Sequence, residues 1–352
     1  KKILLVTLNS FYPLHHGGAL AQYYFIDGLK DEYEFVLCTE IYNEQDLKNI
    51  HLLQEKLPNL KVYYNKNYSD SPIEKTLRKQ VKKYLLKLIN SFKNKKKTNE
   101  LPCEDDFLDP YFKDINPKYS EDFITLLNKV VLEENIQLVQ FDFYDTIDLC
   151  FSLPKDLVKI FVHHELRFKR LELASKKSEV SAVYKQYLIK KTEAFERACL
   201  REMDYVLVFN EEDKKLLASD CQQIIVSPFA IPEELIFSID FSTEFHQLLF
   251  VGGEGHTPNL LGLRWFLDNI YMPNIDKISY PLHIIGQWSE AFKEEYKHNK
   301  IVFLGYVDSL EKHFSQAIFV NPILTGAGLR TKVLHAMVNK IPVLSTSFGA
   351  EG

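Results

Sequence analysis

A chain of 352 residues that is 46% hydrophobic and 26% charged can bury a large core, and is more comfortably two domains than one. Its formal net charge of −5 argues against a dedicated nucleic-acid binder. Five cysteines without a CxxC pair supply neither a metal knuckle nor a disulfide framework, and no apolar run approaches the ~20 residues of a spanning helix, so a reducing, cytoplasmic setting is expected, soluble or peripheral on the inner face of a membrane.

In chain order, Ile3 to Leu8 reads as an apolar strand, Asn9 to Gly18 as a loop carrying Pro13 and the pair Gly17–Gly18, and Ala19 to Leu29 as a helix. Phe35 to Cys38 is the next strand. The glycine pair falls where a doubly wound domain places phosphate-binding loops, although the GxGxxG dinucleotide fingerprint is absent. Simple loop shaping is the alternative.

Between Ser71 and Lys97, Ile73, Leu77, Val81, Leu85, Leu88/Ile89 and Phe92 recur every three or four residues. Lys75, Arg78, Lys79, Lys82, Lys83 and Lys87 fill the gaps, and a KNKKK run closes the stretch. Two readings stand: an amphipathic helix lying on an anionic membrane surface, or a helix packed on the sheet with a solvated basic face. Nucleic acid is disfavoured, because exposed aromatics are not interleaved with the lysines. Glu100 to Ser120 is a polar excursion, and Phe123 to Leu132 a helix. Ile136 to Phe141 is a strand leading to Asp142, Asp145 and Asp148, whose spacing of three suggests a solvated helix face; without a DxD motif no metal site is expected.

Leu157 to Val162 is another strand, with His163, His164 and Glu165 at its carboxyl end, where polar groups point into the crevice of a parallel sheet. Helix capping is the plainer role for them, and zinc is excluded without a distant fourth ligand. Arg167, Arg170 and Arg197 near Glu193 either support such a site or pair with acids. Helix Tyr184 to Leu200, strand Tyr205 to Phe209, helix Glu211 to Ala218 and the punctuated SPFAIP segment complete a first domain, residues 1–235.

The second domain, 236–352, opens with strand Leu248 to Val251 and a loop holding Gly252 and His256 ahead of Pro258, a residue suited to the first turn of a helix. Further on, Ala317 to Val320 and Ile341 to Leu344 bracket a glycine loop and the helical spacing of Leu329, Val333 and Ala336/Met337, a βαβ unit. Gly326 and Gly328 let backbone approach a ligand, the helix opening favours an anion, and Arg330 and Lys332 are placed to add charge.

The run GAGLRTKVLHAMVNKIPVLST, followed by SFGAEG, resembles the donor-site region of retaining glycosyltransferases of family 4, in the GT-B class. The similarity extends upstream through LLFVGGEGHTPNLLGLRWFLDNIYMP, LHIIG and IVFLGYVDSLEKHF, and more loosely through Gly17–Gly18 and the HHE tripeptide. It implies an α/β fold of two Rossmann-like domains facing across a cleft, with sugar transfer from a nucleotide diphosphate of UDP or GDP type to a glycan or lipid-linked acceptor, without a cofactor or divalent ion. By this resemblance the donor-binding set is Gly17, Gly18, Gly252, His256, Gly326, Gly328, Leu329, Arg330, Lys332 and His335. The catalytic histidine-acid pair matches His164–Glu165, or His163 with a slip of one.

Two positions depart from the family's pattern: Ala327 and His335 stand where it carries carboxylates, the second of them for the ribose. A histidine there makes one hydrogen bond in place of a bidentate pair. Relatives continue through a further helix, so a tail beyond Gly352 is expected. A nucleotide-sugar epimerase and a non-catalytic scaffold binding sugar or a partner are the alternatives.

Overall fold

The computed structural model describes residues 1–8, 10–14, 17–68, 119–175, 180–221, 223–238, 244–326 and 330–351. The basic stretch Ser71–Lys97, Gly328 and Leu329 lie outside these residues. Two compact units divide the chain: Lys1–His163, Ser175–Val208 and Lys214–Ile225 in the first, His164–Ala174, Phe209–Asp213 and Val226–Gly352 in the second.

The first unit is built on strands β1 (Lys2–Thr7), β2 (Glu34–Ile41), β3 (Lys61–Lys66), β4 (Leu138–Asp142), β5 (Val158–His163), β6 (Tyr205–Val208) and β7 (Ile224–Val226), in the order β3-β2-β1-β4-β5-β6-β7. Pairing is parallel from β3 through β6. Strands β1 and β2 are continuous apolar runs buried almost throughout, as expected where helices cover both faces of a parallel sheet. Helices α1 (Gly17–Leu29), α2 (Glu44–Lys56), α3 (Glu121–Glu133) and α5 (Ala182–Leu200) belong to this unit, whereas α4 (Arg167–Ser175), which follows β5 in the chain, falls almost wholly in the second unit and α6 (Glu211–Leu217) is divided between the two. The starts of α2, α3 and α5 are set by Asn43, Ser120 and Ser181, whose side chains accept first-turn N–H bonds.

The second unit's sheet runs β10-β9-β8-β11-β12, from strands β8 (Gln247–Val251), β9 (Leu282–Ile285), β10 (Ile301–Gly305), β11 (Ala317–Asn321) and β12 (Val343–Ser345), parallel throughout. Around it lie α7 (Thr257–Phe266), α8 (Glu290–Glu295), α9 (Glu311–Phe314) and α10 (Thr331–Val338). Leu263, Phe266, Tyr271, Trp288 and Phe292 fill one core of this unit. Phe314, Phe319, Ala336 and Ile341 fill another. The chain leaves β8 first toward β9 and later returns to β11 on the other side, so the strand order reverses between β8 and β11. Ligands of open α/β sheets bind in the crevice at the carboxyl ends of such a strand pair.

Two sequence expectations are corrected. Helix α1 begins at Gly17, so the glycine pair forms its first turn instead of the loop before it. The cost of glycine in a helix is conformational entropy, about 1 kcal/mol relative to alanine, which burial of Ala19 and Ile26 on the same helix offsets. The three aspartates do not share a solvated helix face. Asp142 is the buried last residue of β4 and accepts a 3.0 Å bond from Gln140 Nε2. The backbone turns at Phe143, with φ at 69°, into a 3-10 helix, Tyr144–Ser152, in which Asp148 accepts the Tyr119 hydroxyl at 2.7 Å.

Candidate functional site

The second unit gathers three loops at the carboxyl ends of β8, β9 and β11. After β8 the chain makes Gly252–Gly253 and enters α7 through His256. After β9 it reaches Gly286, whose φ is +131° and where an added Cβ would lie 2.3 Å from the Gly252 carbonyl oxygen. Backbone therefore meets backbone at this point, and no side chain fits. Trp288 Nε1 donates to the same Gly252 oxygen at 2.9 Å, and Glu254 accepts from the Ser289 amide at 2.5 Å, which fixes the β8 loop against α8.

After β11 the chain returns to the start of α7. Gly326, at φ +119°, sits so that an added Cβ would touch Pro258 Cγ at 3.4 Å. Arg330 forms the N-cap position of α10 and lays its guanidinium 4.9 Å from the Phe348 ring centre. Burial lowers the Arg330 pKa, opposed by the charges of Glu351 and Glu165. Lys332, in the first turn of α10, points its ammonium at Asn259 Oδ1, 3.4 Å away. The lysine keeps a solvent-accessible surface while protein crowds its hydration shell, and that loss of hydration pushes its pKa down to about 8. His256 is held below its ordinary value by partial burial and then by the Lys332 charge, against a hydrogen bond to Asn259 that favours the protonated ring.

His335 projects from the next turn of α10. Its Nε2 is 2.9 Å from the Leu235 carbonyl, and its ring packs against Phe237 and Phe314. Asn339 donates to the same carbonyl at 2.8 Å and accepts from the Phe237 amide at 2.6 Å. One of the two ring nitrogens of His335 is thus already used in tying segment 235–237 to α10.

The adjacent histidines differ in their surroundings. His163 ends β5, is buried, and sets Nε2 3.0 Å from Glu196 Oε1 on α5, also buried. His164 is half-buried against Phe209, with ring centres 5.5 Å apart. Glu165 pairs with Arg170 at 2.5 Å, and its charge reaches Arg330 and His256 within the second unit. Gly17 and Gly18 belong to the first unit.

Asn259, Gly286, Trp288 and Phe348 join the group without having been singled out from the sequence. Gly286 carried a signal, a glycine at a strand end like Gly252; the others did not. Among the described residues, no three or more His, Cys, Asp or Glu side chains are grouped to hold a metal ion, and no helix is long and apolar enough to cross a membrane.

Residues 246–352 match the family model described as glycosyl transferases group 1. The S. aureus TarM structure, a complex with fondaparinux, α-GlcNAc-glycerol and UDP, superposes with a TM-score of 0.60 at 13% identity, over 98% of this chain and 85% of that one. The pneumococcal O-GlcNAc transferase GtfA, in complex with UDP and GlcNAc, gives 0.53 at 12% identity, over 98% and 84%. The fold is GT-B. A curated Klebsiella pneumoniae protein, described as an uncharacterised 44.6 kDa protein in the cps region, is 34% identical over 137 residues, 36% of this chain. This chain spans about a third of that relative's length, 35%. The GT-B region matched by the family model contains the whole β8, β9 and β11 loop cluster.

Proposed function

We propose that this chain is a glycosyltransferase that moves a sugar from a nucleotide-diphosphate donor to a hydroxyl of a glycan or lipid-linked acceptor, with retention of configuration. The observation that carries the reading is the meeting of Gly252, Gly286, Gly326, Arg330 and Lys332 at the strand-order reversal of a sheet inside the region matched by the group 1 model. Backbone N–H groups, a helix opening and two cations at one point suit a leaving diphosphate, whose charge grows as the bond to the sugar breaks. Gly328 and Leu329 belong to the same loop by sequence, and Gly17–Gly18 offer first-turn N–H groups in the first unit.

The departure is front-face: the phosphate leaves and the acceptor hydroxyl attacks from the same side. His164, with Glu165, is the group assigned to the sugar and leaving oxygen. It is preferred to His163 because His163 is buried against Glu196. No carboxylate pair of the kind used in glycoside hydrolysis is assigned. His335 is left with a single free ring nitrogen for the ribose. The reaction needs no cofactor in this reading.

Calorimetric screening of UDP, GDP, ADP and CDP, followed by sugar release from the matching donor, tests it. Binding of one nucleotide with sugar release is expected. Binding of none overturns the donor site, and interconversion of donor sugars without an acceptor replaces transfer by epimerisation.

A further inference from the structure

Asn259 is buried on the first turn of α7, and no motif draws attention to it. Its side chain nevertheless meets three parts of the loop cluster. Nδ2 donates to the Gly253 carbonyl at 3.2 Å, and Oδ1 accepts from Lys332 Nζ at 3.4 Å. The side chain also hydrogen-bonds His256. Gly252 is a glycine for the same reason, since a Cβ there would fall 2.7 Å from the Asn259 amide.

The chemistry of the two partners selects the residue. A backbone carbonyl only accepts and an ammonium only donates, so the side chain between them must offer one donor and one acceptor about 2 Å apart, which a primary amide does. Aspartate fails the carbonyl, leucine fails both, and serine is too short to reach both. The partners also fix which way the amide faces.

We infer that Asn259 is a positioning residue of the donor site, locking the Gly252–Gly253 loop and the Lys332 ammonium into one anion cradle. The inference rests on the donor-site reading above. Lys332 approaches from α10, some 70 residues further along the chain, and without the amide it would have no fixed place relative to the β8 loop. A lysine side chain has four rotatable bonds, so holding its head in place before a phosphate arrives spares ordering cost at binding. The other charged and titratable groups near Lys332 are His256 in the β8 loop and Arg330 at the head of α10, with Glu165 acting on both, Arg170 on His256 and Glu351 on Arg330.

Two substitutions separate positioning from general support. Asn259→Asp keeps the acceptor and adds a charge next to Lys332, which should raise the lysine pKa by about one unit or more. Asn259→Ser removes the acceptor and should lower it. Loosening of the fold would move both in the same direction. The titration of Lys332 is read by NMR of isotope-labelled lysine, assigned with Lys332→Met, and needs no nucleotide. UDP binding, followed by calorimetry from pH 6 to 9, is expected to weaken about tenfold at pH 7 in both variants, with the pH midpoint displaced upward in the aspartate variant and downward in the serine variant.

Unchanged or same-direction lysine titrations overturn the inference, and this holds whether or not UDP binds. Opposite lysine shifts in a protein that binds none of UDP, GDP, ADP and CDP would retain the amide–ammonium contact but overturn both the donor-site reading and the positioning role. Opposite lysine shifts with unaltered UDP affinity would overturn the positioning role alone. If Asn259→Asp does not fold, the serine variant still decides: a Lys332 pKa that fails to fall overturns the inference.

Discussion

At the scale of single residues, the glycines of the second unit divide by what surrounds them. Gly286 and Gly305 both have positive φ, +131° and +71°, but a Cβ at Gly286 would strike the Gly252 carbonyl at 2.3 Å while one at Gly305 would meet nothing within 4 Å. Gly305→Ala therefore adds only backbone strain, about 1 kcal/mol. Gly286→Ala adds strain and a backbone collision that no side-chain rotation relieves, and should cost about 2 to 4 kcal/mol. Urea unfolding of both variants checks the difference, and equal losses would mean that the β8 and β9 loops do not pack as described. His335 teaches a related lesson. The family resemblance leads one to expect a ribose carboxylate at this place in the motif, whereas Nε2 of His335 is bound to the Leu235 carbonyl. A carboxylate at that atom's position would face an oxygen with no proton to share, which explains how histidine suits this chain locally.

At the scale of elements, the strands were legible because a parallel sheet covered on both faces needs continuous apolar runs, and ILLVT and FVLC are such runs. The βαβ unit around Gly326 was legible for the same reason, with its change from strand to helical spacing. What hid from the sequence was any feature whose partners are distant in the chain. The 3-10 helix after β4 has aspartates at a spacing that also suits a solvated α-helix, and the burial of Asp142 and the Tyr119 hydroxyl bonded to Asp148 distinguish the two. Asn259 hid likewise, since its meaning comes from Lys332.

Glu134, just after α3, is another such case. Its carboxylate accepts from Lys2 Nζ at 2.8 Å, Lys61 Nζ at 3.0 Å and Tyr63 OH at 2.5 Å, tying the starts of β1 and β3 to the end of α3. These bonds, that from Lys2 first, lower its pKa from 4.5 to about 2. Because the folded value lies below the unfolded one, its contribution is fully present above pH 4.5 and is lost as pH falls toward 2. Glu134→Gln should lower stability at pH 7 and flatten its dependence on pH between 4.5 and 2. Thermal melts across that range decide, and an unaltered slope would remove the carboxylate from the acid response.

At the scale of the whole molecule, the acceptor of the proposed transfer decides where it would take place. A lipid-linked acceptor is confined to a membrane surface, and none of the helices among the described residues is apolar and long enough to cross one. Peripheral contact, by charge and shallow apolar insertion, is the mode to test. The stretch Ser71–Lys97 lies outside the described residues and is judged on sequence alone: an apolar residue every three or four positions with lysines between them. Each lysine near an anionic surface contributes about 1 kcal/mol, and the attraction fades within a Debye length, about 10 Å at 0.1 M salt. Reversing Lys82, Lys83 and Lys87 to glutamate turns three attractions into repulsions while the apolar stripe remains. Sedimentation with phosphatidylserine-containing vesicles should therefore fall by at least tenfold in the triple variant, and addition of 0.5 M salt (~0.5 M, where screening is nearly complete) should reduce the parent's binding in the same way. Vesicles of neutral lipid should bind neither protein strongly. Equal binding of parent and variant to anionic vesicles, or none by either at low salt, would assign the lysines to a solvated helix face and leave a soluble glycan as the acceptor to test.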